Sequence, residues 1–270
     1  MPLNIEYHPY QGRVTHNNAY LTYEPPPPLS HWIQCFWQLN IPEGNFCYRC
    51  VPDNSVDCII NVNCPEDAFL VTPFLSSIVF DLAGPVSYFG IRFRILGHQG
   101  LISTPLGEWS AADDDTNTAD VLPNHVLHAI CECIGKSLQF EAHCKYLSTI
   151  LLGIVQYPDI DPRLACYIRY CSQNISSNIS LSDKQCSEFG LSARQLRRLT
   201  QLYLGLSPRE FARVLRFQNT LQAMNTADNK SAWADHYYDQ PHFIREFKRL
   251  SGLTPTEFNS LSVLYNSESS

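Results

Sequence analysis

The sequence predicts an α+β protein: a β-rich amino-terminal domain, a helical connector and an all-α carboxy-terminal domain. Three observations support this. Short β-rich segments broken by Pro and Gly fill residues 1–121, an apolar stripe at helical spacing runs through residues 123–156, and residues 178–270 contain one helical pattern twice. A chain of 270 residues is long enough to bury two ordinary hydrophobic cores.

Alternating apolar and polar residues predict strands in the first 121 residues. In "FGIRFRI", Phe89, Ile91, Phe93 and Ile95 point to one side and Arg92 and Arg94 to the other. The segments "FCYRCV", "VDCIINVN" and "AFLVTPFLSSIVFDL" are similarly rich in strand formers, so a sandwich or barrel-like sheet is expected. In "PPPPLSHWIQCFWQL", residues 25–39, the proline run predicts a stiff loop. The large apolar residues that follow have helical spacing, although a strand is the open alternative.

Residues 123–156 show an apolar stripe with helical periodicity. Its members are Leu127, Ile130, Ile134, Leu138, Leu147, Ile150 and Leu151. Such helices commonly join domains or pair subunits. We therefore expect residues 122–177 to form a helical connector or dimerisation region.

Two segments of the carboxy-terminal part match each other without gaps at an offset of 47 residues. They are "SARQLRRLTQLYLGLSPREF" at 192–211 and "DQPHFIREFKRLSGLTPTEF" at 239–258. Identical pairs are Arg198/Arg245, Gly205/Gly252, Leu206/Leu253, Pro208/Pro255, Glu210/Glu257 and Phe211/Phe258. Ser192 and Asp239 can cap a helix start, and the paired glycines can end one. Ser207 and Thr254 then begin capping boxes, so each unit reads as helix, glycine turn, helix.

A shorter helix is expected before each of these amphipathic helices, at 182–189 and at 229–235. A short helix, a turn and a second helix with an apolar inner face and a cationic outer face is typical of a helix-turn-helix, whose second helix can enter the major groove. A helical wheel places Arg194 and Arg198 opposite Leu196, Leu199 and Tyr203. A solvated charged face would explain either copy alone, but the repetition argues against it.

The charge of the chain is divided unevenly. Residues 1–177 contain 8 Lys and Arg against 17 Asp and Glu, net −9, whereas residues 178–270 contain 11 against 9, net +2. Six arginines and one glutamate fall between Arg194 and Arg216. The connecting helix from residue 208 to about 226 would span about 25 to 30 Å. That length is close to the distance of about 34 Å between successive major grooves on one face of DNA.

The carboxy-terminal segment resembles the AraC-type transcription regulators over residues 178–258, on the pattern "GLSARQLRRL…GLSPREFARVLRF…YYDQPHFIREFKRLSGLTPTEF". In that family two helix-turn-helix units are joined by a long helix. The resemblance implies base-facing residues at Arg194, Arg197 and Arg198 in the first unit. In the second unit it implies Gln240, Pro241, His242 and Arg245.

Arginine can donate a bidentate pair of hydrogen bonds to guanine, and the remaining cations are expected to meet phosphates. These expected phosphate contacts are Arg213, Arg216, Lys248 and Arg249. The amino-terminal half resembles a domain of one AraC-type subgroup on "VPDNSVDCIIN" and "FGIRFRILG", with Ile95 and Leu96 departing from the subgroup's pattern.

The resemblance implies a sequence-specific DNA-binding transcription regulator with a sensing or dimerising amino-terminal domain. Its implied partners are double-stranded promoter DNA, RNA polymerase, a small-molecule effector and a second copy of the chain. Gln185 and Thr200 stand where the family has apolar residues, so the core of the first unit looks thin. This leaves a second hypothesis, a protein-interaction regulator that has lost specific DNA binding.

Other classes of protein find little support in the sequence. There is no GxSxG, HExxH, GxGxxG or phosphate-loop motif, so we expect no enzyme and no cofactor. The start of the chain lacks a basic and apolar leader, and no apolar run approaches 18 residues, which predicts a cytoplasmic protein without a membrane partner.

The 11 cysteines are expected to be thiols, most of them buried. A zinc site at Cys47, Cys50, Cys58 and Cys64 is the less favoured reading because the second pair is widely spaced. A second cluster is also expected to be structural: His125, His128, Cys131, Cys133, His143 and Cys144.

Overall fold

The computed structural model describes residues 7–15, 19–102, 104–109, 122–136, 139–174, 182–226, 233–234 and 236–266. The amino-terminal half is built on an antiparallel sheet in the order β1-β2-β5-β3-β4, and β6 pairs with β2. The strands are β1 Tyr20–Tyr23, β2 Ile33–Cys50, β3 Val56–Asn61, β4 Cys64–Val71, β5 Ile78–Phe93 and β6 Leu264–Asn266. The predicted sheet domain is confirmed.

The aromatic stretch that follows the proline run forms the start of β2 rather than a helix. A 3₁₀ turn at Leu29–His31 precedes the strand. The register against β5 then shifts between Ile33 and Cys35, which marks a bulge. The extra residue places Ile33 and Phe36 in the same buried cluster. A bulged strand thus reproduces the three-residue spacing that favoured a helix.

The helices follow the sheet in chain order. They are α1 Leu106–Trp109, α2 Asn124–Ile134, α3 Phe140–Ile154, α4 Pro162–Gln173, α5 Asp183–Glu188, α6 Ala193–Leu204, α7 Pro208–Thr226, α8 Gln240–Ser251 and α9 Pro255–Ser260. Within the described ranges, none of the helices combines the length and the apolar composition that crossing a membrane requires.

The helices of the predicted connector belong to two different cores. Ile130 of α2 and Leu147 of α3 lie in one buried cluster with Phe89, Ile91 and Phe93, so both helices cover one face of the sheet. Helix α4 instead packs with the carboxy-terminal helices through a second buried cluster. Leu138, which the apolar stripe included, lies outside the described residues.

The opposite face of the sheet carries the other residues of the alternating strands and forms the wall of a cavity of about 260 Å³. Trp37, Tyr88 and Arg92 line it, and Asp57 accepts a hydrogen bond from Trp37 Nε1 at 2.8 Å. The predicted alternation of Phe89, Ile91 and Phe93 against Arg92 therefore separates a packed face from a cavity face. Ile95 does not share that face, because β5 ends at Phe93 and Ile95 packs in the second buried cluster.

The two halves of the chain are joined by a shared interface. The 51–55 loop, residues 51–55 between β2 and β3, inserts Val51 into the core of the second helix-turn-helix unit. Asn54 Nδ2 donates to the Phe211 carbonyl at 3.1 Å, and Gln218 Nε2 donates to the Pro52 carbonyl at 2.7 Å. The 51–55 loop therefore fixes α7 against the sheet.

Gly90 of β5 offers the first test of this packing. We expect Gly90→Ala to lower the free energy of unfolding by about 1–3 kcal/mol, because a Cβ at this position would overlap the indole ring of Trp37. Gly153→Ala in α3 is the matched control. A Cβ there meets nothing within 4 Å, and alanine is the better helix former by about 0.5–1 kcal/mol. Urea unfolding measures both, and equal stability of the two variants would contradict the packing described.

Candidate nucleic-acid interface

The first helix-turn-helix unit consists of α5, a turn at Gly190 and α6. Gly190 has φ +70°, which favours glycine, and Gly205 ends α6 with φ +67°. Ser192 caps α6 by accepting from the Gln195 amide at 3.2 Å, and Gln195 Oε1 accepts from the Ser192 amide at 2.9 Å. The cap predicted at Ser192 is present. Gln195 completes a capping box that the S-x-x-Q spacing could have revealed.

The second unit has the same local construction around α8. Asp239 accepts a hydrogen bond from the His242 amide at 2.7 Å, and Gly252 ends the helix with φ +75°. Thr254 and Glu257 form the predicted capping box at the start of α9. The shorter helix expected at 229–235 lies mostly outside the described residues.

Helix α7 connects the units over 19 residues, a length of about 28 Å. At its start the Ser207 amide donates to Glu210 Oε2 at 2.8 Å, and the Glu210 amide donates to Ser207 Oγ at 3.3 Å. The hydrogen bond from Ser207 holds the pKa of the Glu210 carboxyl below its usual value. The predicted box at Ser207 is therefore formed with a charged carboxylate.

The recognition helices α6 and α8 are amphipathic as predicted. Their inner faces are buried through Leu196, Leu199 and Leu204 in α6 and through Phe243, Phe247 and Leu250 in α8. Most predicted contact residues are exposed: Arg194, Arg197, Arg198, Gln240, Pro241, Arg245, Lys248 and Arg249. His242 is half-buried, and its ring centroid lies 5.6 Å from that of Tyr237 in an edge-to-face arrangement.

The exposed cations of the two recognition helices do not pair with acidic side chains of the described chain. The six exposed cations are Arg194, Arg197 and Arg198 on α6, and Arg245, Lys248 and Arg249 on α8. None lies within 4.0 Å of a described carboxylate oxygen, whereas seven other ion pairs of the described residues do meet that distance. These groups are therefore available to an external anion.

Arg213 and Arg216 of α7 are placed differently, because both are half-buried and contact the second unit. Arg213 Nε lies 3.7 Å from Glu246 Oε1 in α8. The Arg216 guanidinium lies over the Tyr237 ring at 5.4 Å from its centroid, and burial raises the pKa of Tyr237 to about 12. The two arginines thus connect α7 to the second unit, a role that their sequence positions did not indicate.

Thr200, which stands where Phe247 stands in the second unit, is fully buried. Its Oγ1 donates to the Arg197 carbonyl at 3.1 Å, so the hydroxyl is satisfied inside the helix. The buried cluster of the first unit also contains Ile95 and Leu96 of the amino-terminal half and Leu164 of α4. Residues from outside the unit therefore add to the core that its own leucines form.

The predicted metal-ligand candidates are dispersed. Cys58 lies in the core between the sheet and α2, whereas Cys47 donates from Sγ to Asp81 Oδ1 at 3.2 Å. The His143 ring contacts the Lys136 carbonyl at 2.7 Å. Among the residues the structure places, no three His, Cys, Asp or Glu side chains come together in a metal-binding group.

Two protein families match parts of the chain. Residues 185–260 match a family described as "Helix-turn-helix domain", and residues 21–115 match "Domain of unknown function (DUF6597)". No protein of curated function matches the chain.

Solved structures of ToxT from Vibrio cholerae are similar to this chain at low identity. The apo form of a ToxT variant from strain SCE256 has 14% identity and a TM-score of 0.41, covering 91% of this chain and 98% of its own. A second ToxT structure, at 1.65 Å, has 12% identity and a TM-score of 0.41, covering 90% and 98%. Wild-type ToxT with bound unsaturated fatty acid has 13% identity and a TM-score of 0.40, covering 90% and 95%.

The family matches coincide with the two parts that the geometry defines. The DUF6597 match covers β1 to β5 of the sheet, and the helix-turn-helix match begins in α5 and ends with α9. The chain therefore contains a part that matches a DUF6597 domain, followed by two helix-turn-helix units that match a helix-turn-helix domain.

Proposed function

We propose that the chain is a transcription regulator that binds specific sequences in double-stranded promoter DNA. The observation that carries this proposal is the pair of recognition helices, each with a buried apolar face and exposed cations that no described carboxylate pairs. Basic groups with this placement attract the phosphate backbone and release its counterions. Sequence preference then comes from side chains that reach the base edges.

The two units are proposed to divide this work. Arg194, Arg197 and Arg198 of α6 give a dense cationic face that binds phosphates and guanines with little discrimination. Gln240, Pro241, His242 and Arg245 lie in the first two turns of α8, where a recognition helix contacts base edges. Lys248 and Arg249, near the end of α8, are proposed phosphate contacts, with Arg213 and Arg216 supporting α8 from α7.

Several further features belong to the same proposal. We propose a cytoplasmic location and a regulator that acts with RNA polymerase and is not itself an enzyme. Its activity is proposed to respond to a small-molecule effector bound by the amino-terminal domain. A homodimer is proposed as well, and light scattering should then give about twice the chain mass of 30.8 kDa.

The protein-interaction alternative rested on a weak first unit. That support is reduced, because the Thr200 hydroxyl is satisfied and Ile95 and Leu96 add to the buried cluster of the first unit. A salt-titrated binding curve on the DNA upstream of the protein's own gene distinguishes the DNA-binding regulator from the protein-interaction regulator. Specific binding with a steep negative salt slope favours the regulator, whereas no binding at low salt favours the interaction protein.

Arg245→Ala provides the direct test of base reading. We expect it to weaken binding to the specific site by about 1–3 kcal/mol and to relax preference at one base pair, because an arginine pair to guanine is lost. Arg169→Ala, which removes an exposed cation from α4, is the control and should leave binding unchanged. Fluorescence anisotropy on specific and scrambled DNA measures both. An equal loss on the two DNAs would show that Arg245 contacts only phosphate.

A further inference from the structure

We infer that the cavity on the face of the sheet opposite α2 and α3 binds a small organic cation, namely an ammonium group attached to an aromatic or alkyl group. The inference rests on the proposed function, because it names the chemical class of the effector. Two properties of the cavity wall support the inference: the wall is rich in aromatic side chains, and its charged groups do not sum to a positive charge.

The aromatic character of the cavity is the first argument. Seven aromatic side chains line it: Tyr20, Trp37, Tyr48, Phe69, Phe74, Phe80 and Tyr88. Tyr20 and Trp37 lie stacked with centroids 6.0 Å apart. The faces of such rings carry negative electrostatic potential, and an ammonium group among several of them is attracted strongly once desolvated. A volume of about 260 Å³ suits a small molecule.

The charge at the base of the cavity is the second argument. Arg92 is the basic residue of the lining, and it is already engaged by two carboxylates. Its Nε and Nη2 donate to Asp57 at 3.1 Å, and its Nη2 lies 3.4 Å from Asp53. These three groups sum to −1 when both carboxylates are ionised. Burial raises the pKa of Asp53, and its protonation would leave the group neutral but never positive. An anionic ligand would therefore gain little from Arg92.

The position of Asp53 connects this site to the DNA-binding units. Asp53 belongs to the 51–55 loop and accepts from Gln11 Nε2 at 2.7 Å and from the Ser55 amide at 2.9 Å. The neighbouring Pro52 and Asn54 bond Gln218 and Phe211 of α7. A cation attracted by the charge of Asp53 would therefore lie beside the 51–55 loop. The same loop holds α7, the helix that joins the two recognition helices.

Calorimetric titration of the full chain without DNA tests the ligand class with three probes of similar size. Phenethylammonium carries a cation, 2-phenylethanol is neutral and phenylacetate is an anion. We expect phenethylammonium to bind about tenfold more tightly than 2-phenylethanol, and phenylacetate to bind most weakly. Tightest binding of phenylacetate, equal affinities for the three probes, or no binding of phenethylammonium would each overturn the inference.

Two substitutions at Tyr88 test whether the aromatic ring itself contributes to the preference for a cation. In Tyr88→Leu the preference for phenethylammonium over 2-phenylethanol should fall, because an aromatic face is removed. Tyr88→Phe keeps the ring and should keep the preference. Glu43→Gln, an exposed charge removed from β2 outside the cavity lining, is the electrostatic control and should bind as the wild type does. An unchanged preference in Tyr88→Leu would contradict an aromatic cation site.

Binding to DNA is measured separately on the ligand-free protein, so the two proposals fail in different experiments. Phenethylammonium binding without any DNA binding would retain the cation site and reject the regulator. Specific DNA binding by a protein that prefers phenylacetate would retain the regulator and reject the cation site.

Discussion

Replacing Phe247 with alanine is expected to lower the free energy of unfolding by about 3–5 kcal/mol. The Phe247 side chain is fully buried at the centre of the second helix-turn-helix unit. Its ring centroid lies 5.3 Å from that of Phe217 in α7, 5.5 Å from that of Phe243 in α8 and 5.7 Å from that of Phe258 in α9, each pair in an edge-to-face arrangement. One truncation therefore removes packing from three helices at once.

Ile244→Ala serves as the control within the same helix. Ile244 is 37% exposed, and its truncation should change stability by about 0.5 kcal/mol or less. Equilibrium urea unfolding measures both variants. Phe247→Ala should also lose specific DNA binding, because α8 would no longer be held. A cost below about 1 kcal/mol for Phe247→Ala would mean that this ring cluster does not hold α8 in place.

The double replacement of Arg197 and Arg198 by alanine is expected to weaken binding to all DNA by about ten- to a hundredfold at low salt. It should also make the slope of log affinity against log salt less steep by about two, because two phosphate-binding cations are lost. Replacing Gln240 and Arg245 should instead lower the ratio of specific to non-specific affinity. Salt-titrated curves on operator and scrambled DNA distinguish the two patterns.

The matched control for the arginine pair removes two exposed cations from helices outside both units. Lys145→Ala with Arg169→Ala does this in α3 and α4 and should leave the salt slope unchanged. If the Arg197 and Arg198 variant loses specificity while keeping its non-specific affinity, α6 is the principal reader of bases and the proposed division of work is reversed.

Local features of this fold could be predicted from the sequence almost residue by residue. Helix ends depend on a few neighbouring residues, so Ser192, Gly205, Asp239 and Gly252 fixed the bounds of α6 and α8. The alternation of Phe89, Ile91 and Phe93 was equally informative, because a strand side chain faces the opposite way at each step.

Features that depend on distant residues could not be predicted in this way. The bulge at the start of β2 follows from its pairing with β5, and without that pairing the spacing of Ile33 and Phe36 favours a helix. The core of the first unit looked thin because Ile95 and Leu96, which belong to its buried cluster, lie about 100 positions earlier in the chain. Partners such as Glu246 for Arg213 are set by helix packing in the same way.

The pairing of β6 with β2 bears on how the protein is made. Phe46, Cys47 and Tyr48 pair with residues 264–266, so the sheet joins segments separated by roughly 220 residues. Translation releases β2 long before β6, and during that interval this stretch of β2 has an open edge that other chains could pair with. Leu264 is fully buried beside Trp37 and Leu39 in the finished sheet. Completion of the sheet that lines the cavity therefore waits until the recognition helices have been synthesised, which couples the biogenesis of one domain to that of the other.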